Sequence, residues 1–522
     1  MADVRRDRGI EGDGWFWPLD RSSDEAVPGR LRATLDDPID LALTKPMLTG
    51  GHPWPSREDA DRSTPAVLGY VGNTAVTLLN PRVAGTSASS ATSLAARERL
   101  RATTVVVGAH LPVIGKLDGT ASLVADALVV EFELLEDWMG RRGLSITEEL
   151  PKESPTRVTA ATVRYEYPET LTAEVPGGHI ELQGEGTRPR YEEATVGFRT
   201  ATLLRVCSDA PTDVDDHCHH AASIQLLLSL LTAAAPDVRS FRLHHPDRRC
   251  GDRNGTPLYD PAALIVPWAR RRPEHSSGPL KTPFQNGRLA VLSFEEVGGI
   301  DGLAEWIRAA GDIHLILSML SSAAFVQHLP RENEFLNVCS AAEGLHRHWH
   351  PVAFEEEQEA KATRERIVES LPKEHRAVVK RALRYAHEPS LAERFRVLAG
   401  RVPLTANRVT GGQVRQWSDA SAWARNQLAH PNSPQEVDAR RAKGLHPAEG
   451  LEYLALAHSV YWITTAALLS EIGVSDELLA KRIGDHELDW YNRQVRSVVA
   501  RWRREGQSGD AGFRRESAEA DG

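Results

Sequence analysis

The hydrophobic period changes once along the 522 residues, and that change limits the fold more than any other feature. Before about residue 290, apolar and polar residues alternate in short runs. Gly29-Arg30-Leu31-Arg32-Ala33-Thr34-Leu35 and Ile39-Asp40-Leu41-Ala42-Leu43 do so between Pro, Asp or Gly. A period of two sets one face of a strand on a core and the other in water. Val67–Tyr70 and Thr74–Leu79 predict a hairpin across Gly72-Asn73. Thr103–Val107, Leu123–Phe132, Val158–Tyr165 and Thr200–Val206 predict further strands. Two stretches here read as helices, Glu133–Arg142 with Trp138 and about Ala221–Ala235. Residues 245–290, rich in Arg, Pro, Gly and Ser, predict irregular structure leading to a boundary.

From about residue 297 the period is helical. Leu303, Trp306 and Ile307 fall at i, i+3 and i+4, and Leu336, Val338, Cys339, Ala342 and Leu345 follow a looser version. Residues 355–387 predict one long charged helix or two, broken near Pro372. Leu391–Val402, Gly411–Ala429 and Glu449–Ile472 add more. The expected fold class is therefore α+β. A β-rich N-terminal domain covers 1–290, an all-α helical bundle covers 291–485, and a polar, Arg-rich and partly disordered tail covers 486–522.

A chain this long needs more than one core, and 41% hydrophobic with 26% charged residues is ordinary globular composition. The net charge of -10 argues against a protein that coats nucleic acid, though not against a local basic cleft. Arg outnumbers Lys 53 to 9, and the guanidinium fork is the better phosphate ligand. Cys207, Cys218, Cys250 and Cys339 form no C-x-x-C pair. The charged start from Met1 to Arg8 has no apolar run behind it. The most apolar stretch, Leu451–Leu469, carries Glu452 and His458, so it reads as a buried helix rather than a membrane span. The expected location is cytoplasmic, with no membrane partner.

Chemistry concentrates in Trp423-Ala424-Arg425-Asn426-Gln427-Leu428-Ala429-His430-Pro431. Asn426 and His430 are four apart and share a helix face, with Arg425 flanking it. Pro431 disfavours the α conformation at His430, so the helix stops about there. The dipole at a helix C-terminus favours an imidazolium, and a His poised near neutral pH gives or takes a proton. A neighbouring guanidinium neutralises a phosphate. Together these suffice for RNA cleavage by the RNA's own 2'-hydroxyl without a metal. The bland alternative is an Arg–His pair that caps carbonyls.

Arg-[Asn/Asp/His]-x-x-x-His in a helical bundle resembles the signature of the HEPN ribonucleases, and Glu343-Gly344-Leu345-His346-Arg347 resembles their Glu-x-x-x-Lys/Arg motif on an earlier helix. Across about residues 12–475 the chain resembles the Abi-associated HEPN-like (ApeA) branch. The pieces are Gly14-Trp15-Phe16-Trp17-Pro18, Pro28-Gly29-Arg30-Leu31, Leu68-Gly69 with Val76-Thr77-Leu78, Val107-Gly108-Ala109-His110-Leu111 and Leu135-Glu136-Asp137-Trp138. Phe335-Leu336 and Leu391-Ala392-Glu393-Arg394-Phe395 follow in the second half. The resemblance implies a HEPN helical domain over 291–485 behind an N-terminal sensor. It implies a homodimer with a composite cleft, cutting RNA, with tRNA a candidate, to 2',3'-cyclic phosphate ends during abortive infection. A phage-derived trigger would act at the N-terminal domain. By position, Arg425 would bind the scissile phosphate, His430 would be general acid or base, and Asn426 would orient one of them or the ribose. Glu343 and Arg347 are supporting residues, and no cofactor or metal is implied. The alternatives are an inert HEPN module that dimerises and binds RNA or nucleotide as a scaffold, and an interaction protein with an accidental motif.

Other clusters carry less. Asp215-Asp216-His217-Cys218-His219-His220, with His244, His245 and Cys250 downstream, offers zinc donors, but adjacent residues seldom converge on one ion. A helix N-terminus capped by Asp215 or Asp216 is the competing expectation. His346, His348 and His350 would fan out on a helix, with His346 nearest the cleft. The basic stretch from Lys361 to Arg401 reads mainly as a solvated face. No Gly-x-x-x-x-Gly-Lys-Ser/Thr or Gly-x-Ser-x-Gly occurs.

Overall fold

The computed structural model describes residues 9–500 except 35–37, 49–63, 89–95, 117–119, 142, 150–159, 187–189, 193–194, 198–199, 254–255, 267–289, 327–328, 352–353, 384–387, 430–450 and 485–491. A β-rich region over 9–265 precedes a helical region over 295–500.

The β-rich region is organised by one fourteen-stranded sheet, in which every described pairing is antiparallel. Its first half runs Leu171–Val175, Gly178–Gly186, Thr200–Asp213, Val124–Phe132, Val238–His244, Ala262–Ile265 and Thr104–Val107. It continues with Thr74–Leu79, Ala66–Val71, Gly9–Pro18, Val27–Thr34, Ile39–Leu43, Ala96–Ala102 and Arg82–Ala88. The period of two is visible in burial: Val27, Leu31 and Ala33 face the core while Arg30 and Arg32 face water. The expected hairpin forms, with Gly72 at φ 57° in its turn. Phe16 pairs across the strand with Gly69, and a Cβ there would collide with the Phe16 ring.

Among the described residues, thirteen α-helices accompany it besides a helical stretch over 492–500. They are α1 (Leu135–Met139), α2 (Val214–Thr232), α3 (Gly299–Ala310), α4 (His314–Leu320), α5 (Ser322–Phe325), α6 (Arg331–Trp349) and α7 (Phe354–Ser370). The remainder are α8 (Lys373–Ala382), α9 (Leu391–Arg401), α10 (Pro403–Thr410), α11 (Val414–Ala429), α12 (Leu451–Glu471) and α13 (Asp476–Ile483). Helix α2 packs on the strands Val124–Phe132 and Thr200–Asp213 and also against α3 and α4. It is apolar on nearly every side, as a helix enclosed by neighbours must be.

The two regions share one hydrophobic core. Trp306 of α3 donates its indole N–H to Ser223 O at 2.8 Å, and Tyr461 of α12 donates its hydroxyl to Leu230 O at 2.9 Å. Trp138 of α1 donates to Leu292 O at 2.8 Å. Buried indole and phenol groups thus find partners across the junction.

Four expectations change. Residues 245–265 are not irregular: Arg249–Arg253 and Thr256–Tyr259 form a hairpin, and Ala262–Ile265 fills the middle of the large sheet. Residues 267–289 lie outside the described residues. Helix α2 starts at Val214, earlier than expected, and its cap is Asp213, whose side chain accepts from the Asp215 N–H at 3.0 Å. A separate helix, α10, precedes Gly411 and Gly412, both at positive φ, so α11 starts after them. Residues 492–500, expected in a polar tail, are helical, with Val495 and Val499 fully buried.

Candidate active site

Two helices of the bundle carry the residues singled out above. On α11, Trp417, Ala420, Ser421 and Ala424 recur at i, i+3, i+4 and i+7 and are buried. That stripe packs on α9 and α6, with the Trp417 indole donating to Ser459 Oγ of α12 at 2.8 Å. Arg425 follows the stripe directly and is half-buried at its flank, while Asn426 turns outward and is exposed. On α6 the buried stripe is Phe335, Val338, Cys339, Ala342, Leu345 and His346. Glu343 and Arg347 flank it one turn apart.

These flanks meet. Arg425 Nη2 donates to Glu343 Oε2 at 3.4 Å, and Arg425 Nη1 donates to Asn426 Oδ1 at 3.2 Å. Arg347 Nη2 pairs with Glu343 Oε1 at 3.1 Å and with Glu388 Oε2 at 3.2 Å. Glu388 Oε2 also receives Arg394 Nη2 at 3.0 Å, and Arg394 Nε donates to Pro389 O at 3.1 Å. The result is an alternating chain, Arg425–Glu343–Arg347–Glu388–Arg394, with three cations and two anions. Arg394 is buried at one end, and Arg425 remains partly open at the other. Among the described residues, bonds engage two of the five N–H donors of Arg425.

Helix α11 is described through Ala429, so His430 and Pro431 lie outside the described residues. The structure thus brings together Arg425, Asn426, Glu343 and Arg347.

Glu388 and Arg394 were not assigned roles from the sequence. The available signal was Arg394 beside Glu393. Glu393 instead closes a capping box with Ser390 at the start of α9.

Of the clustered histidines, His346 is buried beneath this chain, and burial with its cationic neighbours lowers its pKa to about 4. Its ring lies 4.8 Å from that of His350 one turn on, so those two come together rather than fan out, and only the exposed His348 turns away. Cys339 lies one turn before Glu343, and burial pushes its thiol pKa up, against the pull of Arg425. The basic stretch from Lys361 to Arg401 contributes Arg394. Arg376 turns back on Leu371 O and Glu369 O, and Arg401 lies over the Trp349 ring at 3.9 Å.

The earlier histidine cluster does not converge. His217 is buried with Nε2 3.2 Å from Ala125 O, Cys218 is buried, and His219 is exposed. Lys116 Nζ sits 2.7 Å from both Asp213 and Asp215, so a cation already neutralises the acidic start of α2. His244 stacks on Tyr259 instead of joining them. No described helix is long and apolar enough to cross a membrane.

Comparison with protein families gives two matches. A model described as ApeA N-terminal domain 1 matches residues 11–283, and one described as Apea-like HEPN matches residues 336–478. No curated protein and no solved structure matches the chain. The Apea-like HEPN match spans Glu343, Arg347, Arg394, Arg425, Asn426 and His430.

Proposed function

We propose that this chain, which belongs to the ApeA family of HEPN proteins, is an anti-phage RNA endonuclease that cuts without a metal through Arg425 and His430. The observation that carries the proposal is the Arg425–Glu343 pair. It joins the two motif helices, α11 and α6, and holds a guanidinium half-buried within five residues of His430. A loosely solvated arginine has to be ordered by substrate, whereas an ion-paired one is already aimed.

In the proposed chemistry, His430 as base takes the proton of the ribose 2'-hydroxyl. The 2'-oxygen attacks phosphorus and the 5'-oxygen leaves, collecting a proton from a second acid. The product is a 2',3'-cyclic phosphate and a 5'-hydroxyl. Arg425 binds the phosphate and offsets the charge that grows on it, and Asn426 orients the guanidinium it already touches. A homodimer would supply the second acid from the partner subunit's equivalent histidine. RNA is the substrate, with tRNA a candidate, and the location is cytoplasmic. Residues 1–290 would serve as the sensor of a phage-derived trigger, 291–485 as the effector, and the end of 486–522 as a tail.

The test is growth of infected cells carrying wild type, Arg425→Ala or His430→Ala, with total RNA examined alongside. Wild type should cut RNA and limit phage, and both variants should do neither. Protection by both variants equal to wild type would remove the ribonuclease from the mechanism and leave a scaffold.

A further inference from the structure

We propose that His179, Glu181 and Cys207 form a zinc site on the β-rich region, separate from the HEPN cleft. Strand Gly178–Gly186 pairs with Thr200–Asp213 in a register that sets His179 opposite Cys207 and Glu181 opposite Arg205. A period of two places all four residues on one face of the sheet. The alternating residues Ile180, Leu182, Leu204 and Val206 belong to the hydrophobic core on the other face.

The donor atoms of His179, Glu181 and Cys207 all lie within 4.8 Å of one another, and His179 Nε2 is 3.3 Å from Glu181 Oε1. Bonds of about 2.0–2.3 Å to a tetrahedral zinc put ligand atoms roughly 3.3–3.8 Å apart. Closing on an ion therefore needs shifts of about 1 Å or less, with no change of strand register. Because the donors stand on two hydrogen-bonded strands, little chain entropy is lost in assembling them.

Glu181 divides its oxygens. Oε1 faces His179, while Oε2 accepts from Arg205 Nη1 at 3.2 Å. An outer hydrogen bond of this kind is what orients a ligating carboxylate. An ordinary Arg205–Glu181–His179 ion network accounts for the acid and the imidazole. It gives no reason for a cysteine directly across from His179. A sulfur, nitrogen and oxygen set selects zinc over magnesium or calcium, which take oxygen. Three protein ligands leave a fourth position for water or another donor. The site would clasp two strands just before Val214, where α2 begins.

The experiment is cobalt substitution in the full chain, stripped of metal and then titrated with Co(II). One equivalent should bind, with a near-ultraviolet thiolate-to-cobalt charge-transfer band. Cys207→Ser should lose that band, while Cys250→Ser should keep it, since Cys250 is exposed and lies on another hairpin. His179→Gln and Glu181→Gln should each weaken cobalt binding by about tenfold or more, with far-ultraviolet circular dichroism unchanged. If Cys207→Ser does not fold, these two variants alone decide. A wild type with no thiolate–cobalt band overturns the proposal. So does a band that survives in folded Cys207→Ser, or cobalt affinity unchanged in both Gln variants.

Discussion

Replacing Glu343 with glutamine keeps the side-chain volume and removes one charge from the centre of the Arg425–Glu343–Arg347–Glu388–Arg394 chain. Two pairs weaken at once, one to Arg347 at 3.1 Å and one to Arg425 at 3.4 Å. The Arg347 side chain is 59% exposed, so its pair is worth at most about 1 kcal/mol. Arg425 and Glu343 are only 25% and 23% exposed, so that pair stands above a surface pair and below a fully desolvated one, at about 1–2 kcal/mol. Glutamine keeps one carbonyl acceptor, so the total loss of stability is about 1–2 kcal/mol, and the chain remains folded.

The effect on cleavage is larger in kind. Arg425 loses the partner that aims it, and a misplacement of about 1 Å at a reacting group costs up to about a hundredfold. Single-turnover cleavage by Glu343→Gln should therefore fall about tenfold to a hundredfold. Removing a carboxylate beside the proposed phosphate site lowers repulsion, so RNA binding should hold or tighten while the chemical step slows. That split separates misplacement from simple loss of affinity. In a double-mutant cycle, Glu343→Gln should add little to Arg425→Ala, because the guanidinium it aims is gone. Full cleavage by Glu343→Gln, or a loss that multiplies with that of Arg425→Ala, would refute the coupling.

Three further outcomes are expected. Arg394→Met leaves Glu388 and Pro389 O without their buried partner, and urea denaturation should show a loss of about 2–4 kcal/mol, with Arg394→Lys recovering less than half because it lacks the fork. His458 is held neutral by burial, with its pKa lowered to about 3, and its Nε2 accepts the Trp462 indole N–H at 2.9 Å. The unfolded chain takes up that proton below pH 6.5 and the folded chain does not. Stability is thus level above pH 6.5 and falls by up to about 1.4 kcal/mol per unit as pH drops toward 3. His346 and His244, each lowered to about 4, act in the same direction. Urea midpoints at pH 7 and pH 5 should differ, and less so in His458→Gln; equal midpoints would contradict the buried neutral imidazole. Light scattering should give twice the chain mass, since a strict monomer has no composite cleft.

Local patterns in the sequence were enough to place much of this. Glycine at positive φ made the hairpin at Gly72 readable, and the four-residue spacing of Asn426 and His430 put Arg425 at the flank of their helix face. Where the sequence was silent, the deciding partner was far away. Ala262–Ile265 is four residues in a Pro- and Arg-rich stretch, and only pairing with Val238–His244 and Thr104–Val107 makes it a strand. Three acids stand at the start of α2, Asp213, Asp215 and Asp216, and the cap is Asp213, whose carboxylate is also held by Lys116. Glu388 joins Arg347 across 41 residues, which no spacing rule connects. The pair between Arg425 and Glu343 spans 82 residues, and it was the resemblance of both motifs to one family that put them together on paper.

The most direct measurement is cleavage of end-labelled RNA by purified wild type and His430→Ala in buffer containing EDTA, with the product ends mapped. Wild type should cut and leave 2',3'-cyclic phosphate ends, and His430→Ala should leave the RNA intact. Cutting by both proteins alike, or cutting by wild type that EDTA abolishes and magnesium restores, would contradict a metal-independent site built on Arg425 and His430.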